Sequence, residues 1–103
     1  MKHIASALIA AGLLVAAPAH ASLELAKKNN CTACHAVDKK MVGPAYVDVA
    51  KKYAGDKNAA KALAAKIKGG SKGVWGQIPM PPSPNVKDAD VEVLVKWILA
   101  GAK

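Results

Sequence analysis

The sequence predicts a small all-α domain of about four helices, and three observations predict it. Apolar residues recur three and four positions apart in separate segments, glycine or asparagine stands where these segments end, and no stretch has the two-residue alternation of a half-buried strand.

A leader precedes the domain. Met1-Lys2-His3 is a short basic start, and Ile4 to Ala17 is almost wholly apolar and small, the pattern of a secretory signal peptide. Its apolar core of about 14 residues falls short of the roughly 20 that a membrane-spanning helix needs. Ala19 and Ala21 supply the small residues that a signal peptidase accepts, which predicts removal of residues 1–21 and a mature chain, residues 22–103, opening at Ser22.

In that mature chain, Leu23, Leu25 and Ala26 followed by Lys27 and Lys28 predict a short amphipathic helix ending near Asn29-Asn30. Tyr46, Val49, Ala50 and Tyr53 repeat at helical offsets before Gly55, predicting a second helix over Ala45–Tyr53. A third covers Asn58–Lys68, with Leu63 and Ile67 on one face and Gly69-Gly70 as its stop. The fourth begins at Asp88: Val91, Leu94, Val95 and Ile98 form its apolar stripe, with acidic Asp88, Asp90 and Glu92 early and Lys96 late, complementing the helix dipole. Between the third and fourth helices, Gly69–Val86 holds four of the six prolines. A loop this long in a compact domain points to function.

Removing 21 of 103 residues leaves 82, a size at which a lone apolar core gives marginal stability. The chain has no Phe, and its aromatic residues are Tyr46, Tyr53, Trp75 and Trp97. A large, flat apolar cofactor would make up that deficit. The formal charge of +8 falls to about +7 with loss of Lys2, and all the basic side chains are lysine. Without arginine the planar fork that reads phosphate and guanine is missing, which argues against nucleic-acid binding. A lysine-rich surface instead suits brief encounters with acidic protein partners, as well as solubility.

Cys31-Thr32-Ala33-Cys34-His35 is the attachment pattern for c-type haem: two thiols add to the haem vinyl groups and the adjacent imidazole reaches the iron. A structural disulfide or a redox dithiol accounts for the cysteines but not for His35, and thioredoxin-like chemistry expects strands around the motif. A closed zinc site wants four ligands, whereas only Cys31, Cys34 and His35 stand out. With the leader gone His35 is the sole histidine, so a second axial ligand from this chain falls to Met41 or Met80. Met41 follows His35 too closely to reach the opposite haem face. Met80 lies far enough away, in Ile78-Pro79-Met80-Pro81-Pro82, where the prolines stiffen the loop.

Residues 23–103 resemble the short bacterial class I cytochromes c of the c-551/c-552 type, also called cytochrome c8. The resemblance is carried by Cys31–His35, by Met41-Val42-Gly43-Pro44-Ala45-Tyr46, by Gly73-Val74-Trp75-Gly76 with Ile78–Pro82, and by Lys96-Trp97-Ile98-Leu99. It implies the small cytochrome c fold, about four helices wrapped around one covalent haem held through Cys31 and Cys34, with His35 and Met80 on the iron. It further implies that the Pro44 carbonyl accepts the His35 Nδ1 proton, that the Trp75 indole bonds a haem propionate, and that Trp97 is core. Lys66 stands where some relatives place arginine near a propionate, so a bidentate clamp becomes a point-charge contact. Ser83-Pro84-Asn85 replaces an asparagine directly after the prolines, which leaves open what orients the Met80 sulfur.

These features predict a monomeric periplasmic electron carrier rather than an enzyme, meeting oxidases, nitrite reductases or copper proteins through acidic docking surfaces, with no stable membrane insertion. A small haem peroxidase or gas sensor with a labile methionine is the alternative, because Cys31–His35 would serve either.

Overall fold

A computed structural model describes residues 19–103; the body of the expected leader, residues 1–18, lies outside the described residues. Four α-helices follow in order: α1 (Ala19–Lys28), α2 (Tyr46–Lys52), α3 (Ala59–Gly69) and α4 (Asp88–Leu99), with a 3₁₀ turn at Cys31–Ala33. No strand occurs among the described residues, where extended pairing is confined to a single bridge between Ser71 and Met80. None of the described helices is long and apolar enough to cross a membrane.

The helices form where the apolar period runs and stop where the backbone must reverse. After α1 the chain turns at Asn30, whose φ of 61° is left-handed. Asparagine tolerates that region better than most residues, and Asn29 also bonds the Leu25 carbonyl through both its backbone and its side chain. Helix α2 carries Asp48 in its first turn and Lys51 and Lys52 in its last, each sign at the helix end that favours it. It ends at Lys52, one residue short of the expected Tyr53, and Gly55 completes the turn beyond it. Helix α3 is displaced by one residue from its sequence expectation, taking in Gly69 and stopping at Gly70.

Helix α4 is the hub, packing against α1, α2 and α3. Its buried residues are Val91, Leu94, Val95, Trp97 and Ile98, with Leu94 only 1% exposed. Burying each such side chain stabilises the fold by about 1.5–3 kcal/mol before the entropy of ordering is counted. Ala26 of α1, Tyr46 and Val49 of α2, and Leu63 and Ile67 of α3 complete the core from three sides. Trp97 is buried as expected, edge-on to Tyr46 with ring centroids 5.3 Å apart. Helix α1 begins three residues before Ser22, so the expected cleavage point falls inside a helix.

Candidate functional site

The 3₁₀ turn at Cys31–Ala33 follows directly from the reversal at Asn30, and the amides of Cys34 and His35 both donate to the Cys31 carbonyl, at 3.2 and 3.0 Å. In a three-residue turn, side chains at i and i+3 lie over one another, so the Cys31 and Cys34 thiols share a face. Neither is in a disulfide. Burial pushes the Cys31 thiol up from its ordinary range, partly offset by its hydrogen bond with Tyr46.

His35 is held on three sides. Its Nδ1 lies 2.8 Å from the Pro44 carbonyl oxygen, which can only accept, so this nitrogen carries the proton and Nε2 keeps its lone pair. Tyr46 stacks on the ring at 5.0 Å between centroids and 20° between planes. Gly43 closes the third side: a Cβ there would lie 2.7 Å from His35 Cε1, so a side chain would collide with the imidazole. The Gly43 amide in turn donates to the Cys34 carbonyl at 2.8 Å, tying this turn back to the cysteine segment. The sequence placed Tyr46 on a helix face and gave Gly43 no role at His35; their convergence with the expected Pro44 carbonyl on one imidazole is visible only in three dimensions.

Met80 reaches the same place from the long loop. Its backbone pairs with Ser71 by two hydrogen bonds, Met80 N–H to the Ser71 carbonyl at 2.7 Å and Ser71 N–H to the Met80 carbonyl at 3.0 Å. Gly70 makes this pairing possible, with φ 84° and ψ 176°, a region essentially closed to residues with a Cβ. Three residues on, the Ser83 amide donates to the Ile67 carbonyl at 2.8 Å and fastens the loop to α3. Nothing in sequence periodicity marks Ser71, Gly70 or Ser83 as partners of this loop.

Cys31, Cys34, His35 and Met80 all line one cavity of about 340 Å³, whose other walls include Tyr46, Leu94 and Ile98. Met41 does not line it and is 45% exposed, so the structure separates the two candidate methionines. The donor set suits a covalently held haem. Two unpaired thiols share a face, an oriented imidazole nitrogen and a thioether border the same space, and Gly43 leaves the imidazole room.

A smaller adjoining cavity of about 80 Å³ is lined by His35, Pro44 and Met80 together with Lys66, Lys72 and Trp75. The two residues expected at a propionate, Lys66 and Trp75, therefore meet along one cleft, joined by Lys72, which the sequence did not single out. The Lys52 ammonium lies 5.6 Å from the Trp75 ring centroid.

Known proteins are similar to this chain in sequence and in structure. The family model described as cytochrome c matches residues 22–102. The chain is 63% identical over 90 residues to cytochrome c-552 of Nitrosomonas europaea, covering 87% of each chain. It is 53% identical over 95 residues to cytochrome c-551 of Pseudomonas aeruginosa, covering 90% of each. The crystal structure of the wild-type Nitrosomonas europaea cytochrome c552 superposes with a TM-score of 0.74 at 64% identity, over 76% of this chain and 96% of that one.

Proposed function

The chain belongs to the cytochrome c family, and from that premise we propose that it shuttles single electrons between periplasmic redox proteins on a haem c ligated by His35 and Met80. Family membership brings with it covalently attached haem c and the general role of a small haem electron-transfer protein. The finer reading rests on one observation: His35 and Met80 border the same cavity as both thiols, with the His35 ring held by the Pro44 carbonyl and the Met80 backbone by Ser71.

When bound, haem supplies the one-electron ferric–ferrous couple. Cys31 and Cys34 would hold it as thioethers. Pro44 keeps the His35 proton on Nδ1, which orients the ring and makes Nε2 the more basic donor. The Ser71 pairing holds the Met80 backbone, and methionine opposite histidine raises the potential relative to two histidines. Leu94 and Ile98 present apolar surface that keeps water out. Lys66, Trp75 and Pro44 complete the cofactor surroundings, with Lys66 as a single point charge toward a propionate.

With His35 and Met80 both bound to the iron, the haem would offer no open position to a substrate, which favours a carrier over an enzyme. Export as a precursor cleaved after Ala21 fits the leader pattern. The lysine-rich composition suits short-lived docking on acidic surfaces of an oxidase, nitrite reductase or copper protein.

The test is an absorption spectrum of protein produced with haem-attachment machinery. A low-spin spectrum with a weak long-wavelength methionine-to-iron band is expected, and Met80→Ala abolishes that band. Persistence of the band in Met80→Ala would overturn the ligand assignment, and rapid carbon monoxide binding by the ferrous protein at neutral pH would favour a peroxidase or gas sensor instead.

A further inference from the structure

Lys68, the next-to-last residue of α3, makes contacts that haem binding does not require. Its Nζ lies 2.7 Å from the Val86 carbonyl oxygen, 3.3 Å from the Pro84 carbonyl oxygen and 3.0 Å from Asp88 Oδ1. An ammonium group has three donors, and here two find carbonyls on the arm that returns from Met80 to α4 and the third finds Asp88, the first residue of α4. The other ion pairs among the described residues, Lys27–Glu24 and Lys96–Glu92, are exposed and lie within single helices. Lys68 alone among them joins two elements.

The composition of the arm explains why it needs an outside donor. Pro81, Pro82 and Pro84 have no N–H, so this stretch has few backbone donors with which to fasten itself. What it offers is carbonyls. Ser83 N–H reaches α3 through Ile67, and Lys68 supplies the donors for the carbonyls that follow. The Asp88 carboxylate is 93% exposed, so its share is screened by water, and the two carbonyl bonds carry the clasp.

We propose that Lys68 is a positioning residue for Met80: by pinning the Pro84–Val86 arm to α3, it limits how often Met80 withdraws from the site and admits an external ligand. This rests on the reading of Met80 as an axial ligand. Residues 67–68 hold the arm after Met80 and Ser71 holds Met80 itself, so Lys68→Met removes no group of the Ser71 pairing or of the Ser83–Ile67 bond but loosens the arm next to them, and both open more often.

The test uses the ferric, haem-loaded protein with imidazole as the external ligand, which binds only when Met80 has left. Lys68→Met is expected to raise apparent imidazole affinity about tenfold, equivalent to about 1.4 kcal/mol. Lys68→Arg should restore most of the effect, and Asp88→Asn should change affinity less than threefold. Amide hydrogen exchange provides the second readout. Ser83 and Val86 should exchange faster in Lys68→Met, whereas Leu94 and Val95 in α4 should not, separating local release from general destabilisation. Unchanged imidazole affinity in Lys68→Met, or an equal loss of protection in α4, would overturn the proposal. Should Met80→Ala retain the long-wavelength band, the ligand reading fails and this proposal with it; loss of that band beside unchanged imidazole affinity refutes the role of Lys68 alone.

Discussion

Gly70→Ala should be among the most damaging single-methyl additions this loop can receive. Two separate costs meet at the position. With φ 84° and ψ 176°, Gly70 occupies a region where a Cβ costs about 1–3 kcal/mol. A Cβ would also stand 2.8 Å from the Met80 carbonyl oxygen and 3.1 Å from Pro82 N, backbone atoms that cannot swing aside as a flexible side chain would. Relief requires displacing the Met80 segment, which breaks its two bonds to Ser71, each contributing about 1 kcal/mol. Loss of about 3–5 kcal/mol is expected, a large part of the stability of a domain this small. Gly73→Ala is the matched control: φ is similarly positive at 79°, but nothing lies within 4 Å of the added atom, so only about 1–2 kcal/mol of backbone strain applies. Guanidinium unfolding of the two haem-loaded variants, with the long-wavelength band recorded alongside, separates the terms. Gly70→Ala should cost about 2 kcal/mol more than Gly73→Ala, the two bonds to Ser71, and weaken the band. Equal costs with an intact band would refute the claim that Gly70 serves the Ser71–Met80 pairing.

Two further outcomes follow from the other side of the site. Gly43→Ala drives a methyl to 2.7 Å from His35 Cε1, so the imidazole must rotate off the Pro44 carbonyl; a loss of about 1–3 kcal/mol is expected, with the His35 Nδ1 proton exchanging faster with solvent by NMR. Burial, and then the charges of Cys31 and Cys34, raise the Tyr46 phenol well above its ordinary value near 10, and burial persists once the thiols are bonded. The folded state therefore holds this proton more tightly than the unfolded state. Its contribution to stability is complete below about pH 10 and is lost as pH rises from there through the folded value. Tyr46→Phe should flatten the alkaline fall in stability measured by denaturant titration across that range, and an unchanged slope would show that Tyr46 is not the group responsible.

Much of this molecule was legible along the chain because the relevant physics is local. Helical period placed α2, α3 and α4 to within a residue or two, since the spacing of Leu63 and Ile67 or of Val91, Leu94, Val95 and Ile98 reports directly which face is buried. The 3₁₀ turn at Cys31–Ala33 was not anticipated, being too short to leave a period, yet it is what aligns the two thiols.

The sequence by itself determined the cofactor chemistry and the helices: thiols and imidazole at fixed covalent spacing, and apolar periods that need no knowledge of the fold. Tertiary structure decided everything that joins distant segments. It paired Met80 with Ser71, brought Tyr46 and Gly43 against His35, and carried the Lys68 ammonium to the carbonyls of Pro84 and Val86. The reason is physical. A hydrogen bond or ring contact between residues nine to eighteen positions apart depends on how the helices pack around α4, and no pattern within a single turn of chain encodes which partners that packing brings together.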